Sequence, residues 1–383
     1  MQRPLPAQAP LRRGFFMPAP PFAHWFTPAI PGLHMHRTNG LLKQPRQGGT
    51  ISASFHSHPQ LPARAAADAM NKKLIAFALC LGSSGWSLAA QPLLTPAALQ
   101  PLLKAPHVRV IDIRDPKSFD AAHITGAVNA PYGKWRGPAS NPGELPDQTK
   151  LVALVQSLGL TAQTHAVVVS TGKDATDFGA MARVYWTLKS LGLGELSIVN
   201  GGMQAWDAAK LPTSTTPVQV APSQYAPTFD ARWLATRDDV QQHVKLSNAV
   251  LVDSRPDAFY QGKTQAPAAK LAGTLPGAVQ LDFNQWFVPG TATFVDTAQA
   301  KQVAAHIQHT EGQDAVAFCN TGHWAATDWF GLSEVAGLPN VKLYAGSMVD
   351  WTQSPDMPPM QNMPGRGEQL IRATQQWWQK KLN

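Results

Sequence analysis

Val316-Ala317-Phe318-Cys319-Asn320-Thr321-Gly322-His323-Trp324-Ala325-Ala326-Thr327-Asp328-Trp329-Phe330 reads as strand, short loop, helix. Ala315 to Phe318 is a brief apolar run, long enough for a buried strand. Apolar or aromatic residues at 325, 326, 329, 330, 332 and 335 then give a helix one packed face, which Gly337 and Pro339 end. Cys319 stands at the strand's C-terminal end. Backbone N–H groups of the loop after it are expected to point toward the sulfur, and a helix N-terminus favours negative charge. Both effects favour the thiolate, the nucleophilic form. The competing reading is a buried structural cysteine, since free cysteines are among the most buried residues.

The chain around this stretch repeats itself. Val110-Ile111-Asp112-Ile113-Arg114-Asp115-Pro116 matches Val250-Leu251-Val252-Asp253-Ser254-Arg255-Pro256, each an apolar strand ending in Asp-x-Arg. His123-Ile124-Thr125-Gly126-Ala127-Val128 matches Thr274-Leu275-Pro276-Gly277-Ala278-Val279. The run Val167 to Gly172 matches Ala317 to Gly322, and Val199 to Trp206 matches Tyr344 to Trp351. Between the strands, Leu151–Leu158, Met181–Leu191, Thr297–His309 and Ala325–Val335 are helix candidates. Such alternation predicts a mainly parallel sheet covered on both faces. Ligands of such sheets sit at the strands' C-terminal ends, where both Asp-x-Arg motifs and Cys319 fall. Trp206 and Trp351 are expected in the domain cores.

Length and charge set the frame. The 383 residues leave room for two domains. The net charge of +8 is concentrated at the front: residues 1–69 hold seven Arg or Lys and one acid, and Lys72 and Lys73 follow. From residue 91 onward 23 basic and 23 acidic residues balance, which argues against nucleic acid as a partner. Residues 1–69, rich in Pro, His and Ala, do not pack a core. They read either as a disordered extension or as sequence upstream of a true start at Met70. From Met70, two lysines, the apolar run Leu74–Leu81 and the small-residue exit Ser87-Leu88-Ala89-Ala90 read as a cleavable secretory signal over 70–90. An exported, periplasmic chain with no membrane association after cleavage is expected. Cys80 would leave with the signal, so Cys319 would be the sole cysteine of the mature chain.

The expected layout is a first domain at 92–213, a Thr/Pro/Ser-rich linker at 214–227 and a second domain at 228–358. A tail at 359–383 follows, with a short amphipathic helix from about Glu368 to Lys381 anchored by Trp377 and Trp378. Met357, Met360 and Met363 have a spacing that suits Cu(I). They equally suit a Pro-broken tail packing its methionines on the domain.

Taken in order, these motifs resemble the tandem rhodanese-type sulfurtransferases, the family of thiosulfate and 3-mercaptopyruvate sulfurtransferases. The resemblance covers nearly all of the chain after residue 91. It implies an α/β fold of two tandem rhodanese-like domains, each a mainly parallel sheet flanked by helices. It implies a silent first domain, with Ser170 standing where Cys319 stands in the second copy. Cys319 would take a sulfur atom from a small-molecule or protein donor as a persulfide and pass it to a thiol or cyanide acceptor. The loop Asn320, Thr321, Gly322, His323, Trp324 and Ala325 would cradle it. Asp253 and Arg255 would brace the loop or contact substrate. No metal or organic cofactor is called for.

Departures bear on the donor. Relatives place a cation in the loop, and here only His323 is available, either as a positive charge at mildly acid pH or as a solvent-facing residue. Trp324 either caps the pocket or packs between domains. The arginine that relatives carry after the Asp-x-Arg strand is Phe259 here, and the histidine expected before Leu275 is Thr274. Thiosulfate, mercaptopyruvate and a protein persulfide all stay open. A phosphatase on the same fold would need an arginine closing a longer loop, where Ala325 stands. A thiol–disulfide oxidoreductase would need a second cysteine where Gly322 stands. The alternative from another class is a non-catalytic rhodanese-like binding or scaffold protein of the periplasm, against which the retained Cys319 argues.

Overall fold

The computed structural model describes residues 90–356 and 360–382. The 1–69 stretch, the signal reading with Cys80 as far as Ala89, and Met357 lie outside the described residues.

The first half builds a sheet from Leu93–Leu94 (β1), Val108–Asp112 (β2), Val128–Asn129 (β4), His165–Val169 (β5) and Glu195–Val199 (β6), with His123–Ile124 as β3 outside it. The order is β1-β6-β5-β2-β4, and every pairing is parallel. Strand β5, His-Ala-Val-Val-Val, is buried throughout, as the central strand of a sheet covered on both faces must be. Helices Gln148–Ser157 (α1), Ala175–Ser190 (α2) and Gly202–Ala208 (α3) follow their strands. Asp147 and Asp174 cap α1 and α2 by accepting from Thr149 N–H and Asp177 N–H.

Thr213–Ser214 (β7) pairs antiparallel with β3, so the linker begins as a strand. Further on it is held to the first half: the Gln156 side chain donates to the Tyr225 carbonyl, and the Tyr225 hydroxyl donates to the Leu191 carbonyl.

The second half repeats the plan with Ala249–Asp253 (β8), Val279–Gln280 (β9), Asp314–Phe318 (β10) and Val341–Leu343 (β11), all parallel, in the order β11-β10-β8-β9. Its helices include Arg237–Leu246 (α4), Thr297–Ala304 (α5), Trp324–Trp329 (α6) and Ser347–Gln353 (α7). A capping box of Thr236 and Asp239 starts α4. The single helix expected over 325–335 is two pieces, since α6 passes into a π-helical segment, Phe330–Val335. A last helix, Arg366–Leu382 (α8), ends the described chain.

One apolar core runs through both halves. Phe178 and Tyr185 of α2 meet Phe294 and Phe330 of the second half, with ring centroids 5.0–5.6 Å apart, and all four rings are buried. Burying each such ring stabilises the joint by roughly 1.5–3 kcal/mol. Glu334 adds an ion pair to Lys189 at 2.8 Å and accepts from the Tyr185 hydroxyl. Trp206 and Trp351 are each fully buried, in the outer core of their own domain. Met360 packs in the second of these cores, which favours the packing reading of the methionine run. Trp377 and Trp378 do not anchor α8: they are 51% and 55% exposed.

Candidate active site at the domain boundary

Sheet register aligns the two copies residue by residue. Asp112 pairs with Val169 and Asp253 with Phe318, so Ser170 and Cys319 are equivalent. Met203 N–H donates to the Ser170 carbonyl, as Met348 N–H does to that of Cys319. This corrects the sequence match, which set Val169 against Cys319. The second loop has one more residue between the nucleophile position and its left-handed glycine (Gly322, φ +64; Gly172, φ +77).

Cys319 is 1% exposed. Its N–H and that of Gly322 donate to Ser347 Oγ at 3.0 and 3.1 Å, and that hydroxyl donates to the Tyr344 carbonyl. Ser347 sits at φ +54, where its counterpart in the first domain is Gly202. Side chains other than glycine disfavour this region, and here the strained residue holds two loop amides. The first N–H groups of α7 bind the carbonyls of Cys319 and Asn320. Tied on that side, the loop leaves the N–H groups of Asn320, Thr321, His323 and Trp324 without an acceptor among the described residues. Among the described residues no hydrogen bond reaches Sγ itself, contrary to expectation, so these donors remain available to an atom attached to it. Gly322 admits no side chain, because a Cβ there would collide with the Ala345 carbonyl and the Arg183 guanidinium.

Asp253 and Arg255 form the brace. The buried guanidinium donates to both carboxylate oxygens (2.8 and 2.6 Å), to the Gly273 carbonyl and to Asn320 Oδ1 at 3.3 Å. Thr274, in the place of the expected histidine, donates to the same carboxylate at 2.6 Å. Arg255 does not line the pocket around Cys319. The equivalent Arg114 binds Asp112 and the Ala122 carbonyl but, among the described residues, makes no bond to the loop after Ser170.

That pocket, of about 300 Å³, is lined by Cys319, Asn320, Thr321, His323 and Trp324 together with Tyr132, Arg136 and Thr176 of the first domain. Ala325 stays inside α6, fully buried. Trp324 walls the pocket, stacks on Phe283 with centroids 4.9 Å apart, and donates to Thr176 Oγ1 across the boundary.

His323 does not supply charge. Its Nε2 lies 2.7 Å from the Thr176 carbonyl, which only accepts, so Nε2 carries the proton. Nδ1 therefore accepts from the Tyr132 hydroxyl at 2.9 Å, and that oxygen accepts from Arg136 Nη1 at 2.7 Å. Burial, followed by the Arg136 charge, lowers the imidazole pKa to about 4. The ring is a neutral clasp between the domains.

The positive charge comes from the first domain. Arg136 is half-buried at the pocket, its guanidinium beside the Tyr132 ring, and no carboxylate lines the cavity. Arg183 is fully buried on α2 and donates to the carbonyls of Gly322 (3.2 Å) and Gly143 (2.9 Å), with no acidic partner among the described residues. Burial lowers its pKa to about 10, which leaves it cationic at neutral pH. Sequence reading missed Tyr132, Arg136, Thr176, Arg183 and Ser347. Of these only Arg183 left a trace, as a lone cation within the apolar run of α2.

The first domain's own loop is filled. The Ser170 hydroxyl donates to Asp177 Oδ1 at 2.7 Å, while the N–H groups of Gly172 and Lys173 donate to Oδ2. Counted from the nucleophile position, the equivalent of Asp177 in the second domain is Ala326, which leaves that loop clear.

Comparison with known proteins agrees with this architecture. The rhodanese-like domain model matches twice, over residues 95–209 and 236–354. The sulfur carrier protein TtuD of Thermus thermophilus is 29% identical over 266 residues, covering 66% of this chain and 90% of that protein. A thiosulfate sulfurtransferase of Pseudomonas aeruginosa is also 29% identical over 266 residues, covering 69% and 94%. The crystal structure of the 3-mercaptopyruvate sulfurtransferase SseA from Escherichia coli superposes with a TM-score of 0.58 at 21% identity, covering 67% of this chain and 99% of that one. With two matched domains, two parallel sheets of one plan and a loop at the same strand end in each, the chain belongs to the rhodanese family as a tandem-domain member.

Proposed function

We propose that the protein is a sulfurtransferase working through a persulfide on Cys319. One observation carries this reading: a cysteine in a pocket with uncommitted loop amides, a guanidinium that no carboxylate neutralises among the described residues, and no carboxylate in the lining. The Cys319 thiolate attacks the outer sulfur of the donor. The bond between that sulfur and the rest of the donor breaks, S–S in thiosulfate and C–S in mercaptopyruvate, and its electron pair leaves with the remainder, as sulfite or as the enolate that protonates to pyruvate. Cys319 then carries a persulfide anion, which the N–H groups of Asn320, Thr321, His323 and Trp324 stabilise. Cyanide or an acceptor thiolate takes the outer sulfur and returns the Cys319 thiolate.

The donor reading is thiosulfate first. Arg136 is the one cation lining a small pocket, and Phe259 occupies the place of a second arginine. A compact inorganic anion needs no more, whereas mercaptopyruvate presents a carboxylate away from its sulfur. Residues 70–90 support export to the periplasm as part of this proposal, checked by sequencing the N-terminus of the secreted protein.

Intact mass after incubation with thiosulfate, and separately with mercaptopyruvate, tests the chemistry. A gain of one sulfur atom that cyanide removes, absent in Cys319→Ser, is the expected result. No gain with either donor overturns the small-molecule reading, and a gain retained in Cys319→Ser overturns the nucleophile.

A further inference from the structure

Helix α8 leaves its apolar side uncovered. Leu370, Ile371, Trp377 and Trp378 are 71%, 60%, 51% and 55% exposed. They recur at spacings of one and seven to eight residues, which puts them on one side of a helix, with Thr374 between them. Charge separates this helix from the body of the protein. Its sequence has four bases (Arg366, Arg372, Lys380 and Lys381) against one acid (Glu368), a net +3. The balance from residue 91 onward then leaves 19 bases against 22 acids in the rest, a net −3. Lys381 Nζ stands 4.2 Å from the Trp377 ring centroid, a cation and an indole presented together.

We infer that α8 lies on an anionic phospholipid surface and tethers the enzyme there. A basic helix with a tryptophan-bearing apolar side seats its rings at the headgroup boundary while its cations meet lipid phosphate. At 17 residues it rests on the surface, since no helix among the described residues is long and apolar enough to cross a membrane. The charge contrast selects this occupant: within residues 91–383 the net-negative remainder is repelled by such a surface, and α8 makes the contact. This revises the expectation of no membrane association and does not depend on the sulfur chemistry.

The test uses the full chain and sedimentation with vesicles of phosphatidylcholine alone or mixed with phosphatidylglycerol. Binding is expected only to the anionic vesicles and should weaken as salt rises. The double variant Trp377→Ser/Trp378→Ser should lose at least about tenfold in affinity, and Lys380→Glu/Lys381→Glu should lose a similar factor. Brominated acyl chains should quench tryptophan fluorescence in the wild type and much less in the double tryptophan variant. That arm separates α8 from the basic residues before 74, which are the same in every sample. An unchanged unfolding midpoint shows that the variants fold. Equal binding by wild type and variants overturns the inference, as does absence of binding. A lipid-free dimer that the same substitutions dissociate would also overturn it, by making a second copy the occupant.

Discussion

Arg183 Nη1, on α2 of the first domain, donates to the Gly322 carbonyl of the cysteine loop at 3.2 Å. The guanidinium is fully buried and has no acidic partner among the described residues. A buried unpaired cation is costly to hold, so its removal need not destabilise the fold. Arg183→Met should lower the rate of sulfur loading at least about tenfold, because the loop loses a tether and the anion a countercharge. Its unfolding midpoint should stay near that of the wild type. Loading at the wild-type rate would show that the charge is a packing feature alone.

Arg136 should act on donor binding. Apart from its bond to the Tyr132 hydroxyl, its guanidinium is unpaired among the described residues. Arg136→Ala should raise KM for thiosulfate roughly tenfold to a hundredfold, the range of one charge-assisted hydrogen bond. The effect of the substitution should shrink at high salt. A fall in kcat with KM unchanged would place the residue in the transition state instead.

His323 sets a pH dependence of stability. Burial lowers its pKa to about 4, so between that value and about 6.5 the unfolded chain binds a proton that the folded chain does not. Stability therefore rises with pH through this window. The contribution is fully present above about 6.5 and is lost as pH falls toward 4. Its size is roughly 1–3 kcal/mol, discounted for partial exposure of the ring. Denaturant midpoints at pH 7 and pH 5 should differ more in the wild type than in His323→Gln. Equal differences would exclude the histidine as the source.

The fold was legible because its signals are local. Val110–Asp112, Val167–Val169, Val250–Asp253 and Ala315–Phe318 are apolar runs with turn residues after them, and their repetition in order names the sheet. Cys319, Asn320, Thr321, His323 and Trp324 were legible as one loop for the same reason. The charge of the pocket was not. Arg136 and Arg183 lie far from Cys319 in sequence, and only the packing of the first domain on the second brings them near. The same packing half-buries His323 and ties both its ring nitrogens, so its neutrality could not be read from a loop that looks solvent-facing. Ser347 hid in a motif whose first copy carries glycine, where its hydroxyl has no counterpart.

That serine separates strain from function. Ser347→Gly relieves a left-handed residue worth roughly 1–2 kcal/mol and gives up hydrogen bonds to Cys319 N–H and Gly322 N–H of similar size. Stability should change little while sulfur loading slows, because the loop loses the group that holds it. Ser347→Ala keeps the strain and loses the bonds, so it should be less stable than Ser347→Gly by roughly 1 kcal/mol. Unimpaired loading in both variants would reduce Ser347 to a turn residue.

The first domain offers the converse experiment. If the cysteine were all that Ser170 lacks, Ser170→Cys would create a second sulfur-accepting site. The Asp177 carboxylate argues otherwise, since it already occupies the N–H groups of Gly172 and Lys173 and would repel a thiolate beside it. Ser170→Cys alone should take up no sulfur in the Cys319→Ser background. Adding Asp177→Ala, which reproduces the Ala326 of the second loop, should permit at least slow loading from thiosulfate. Loading by Ser170→Cys with Asp177 in place would mean that the carboxylate does not silence the domain and that the missing thiol alone does.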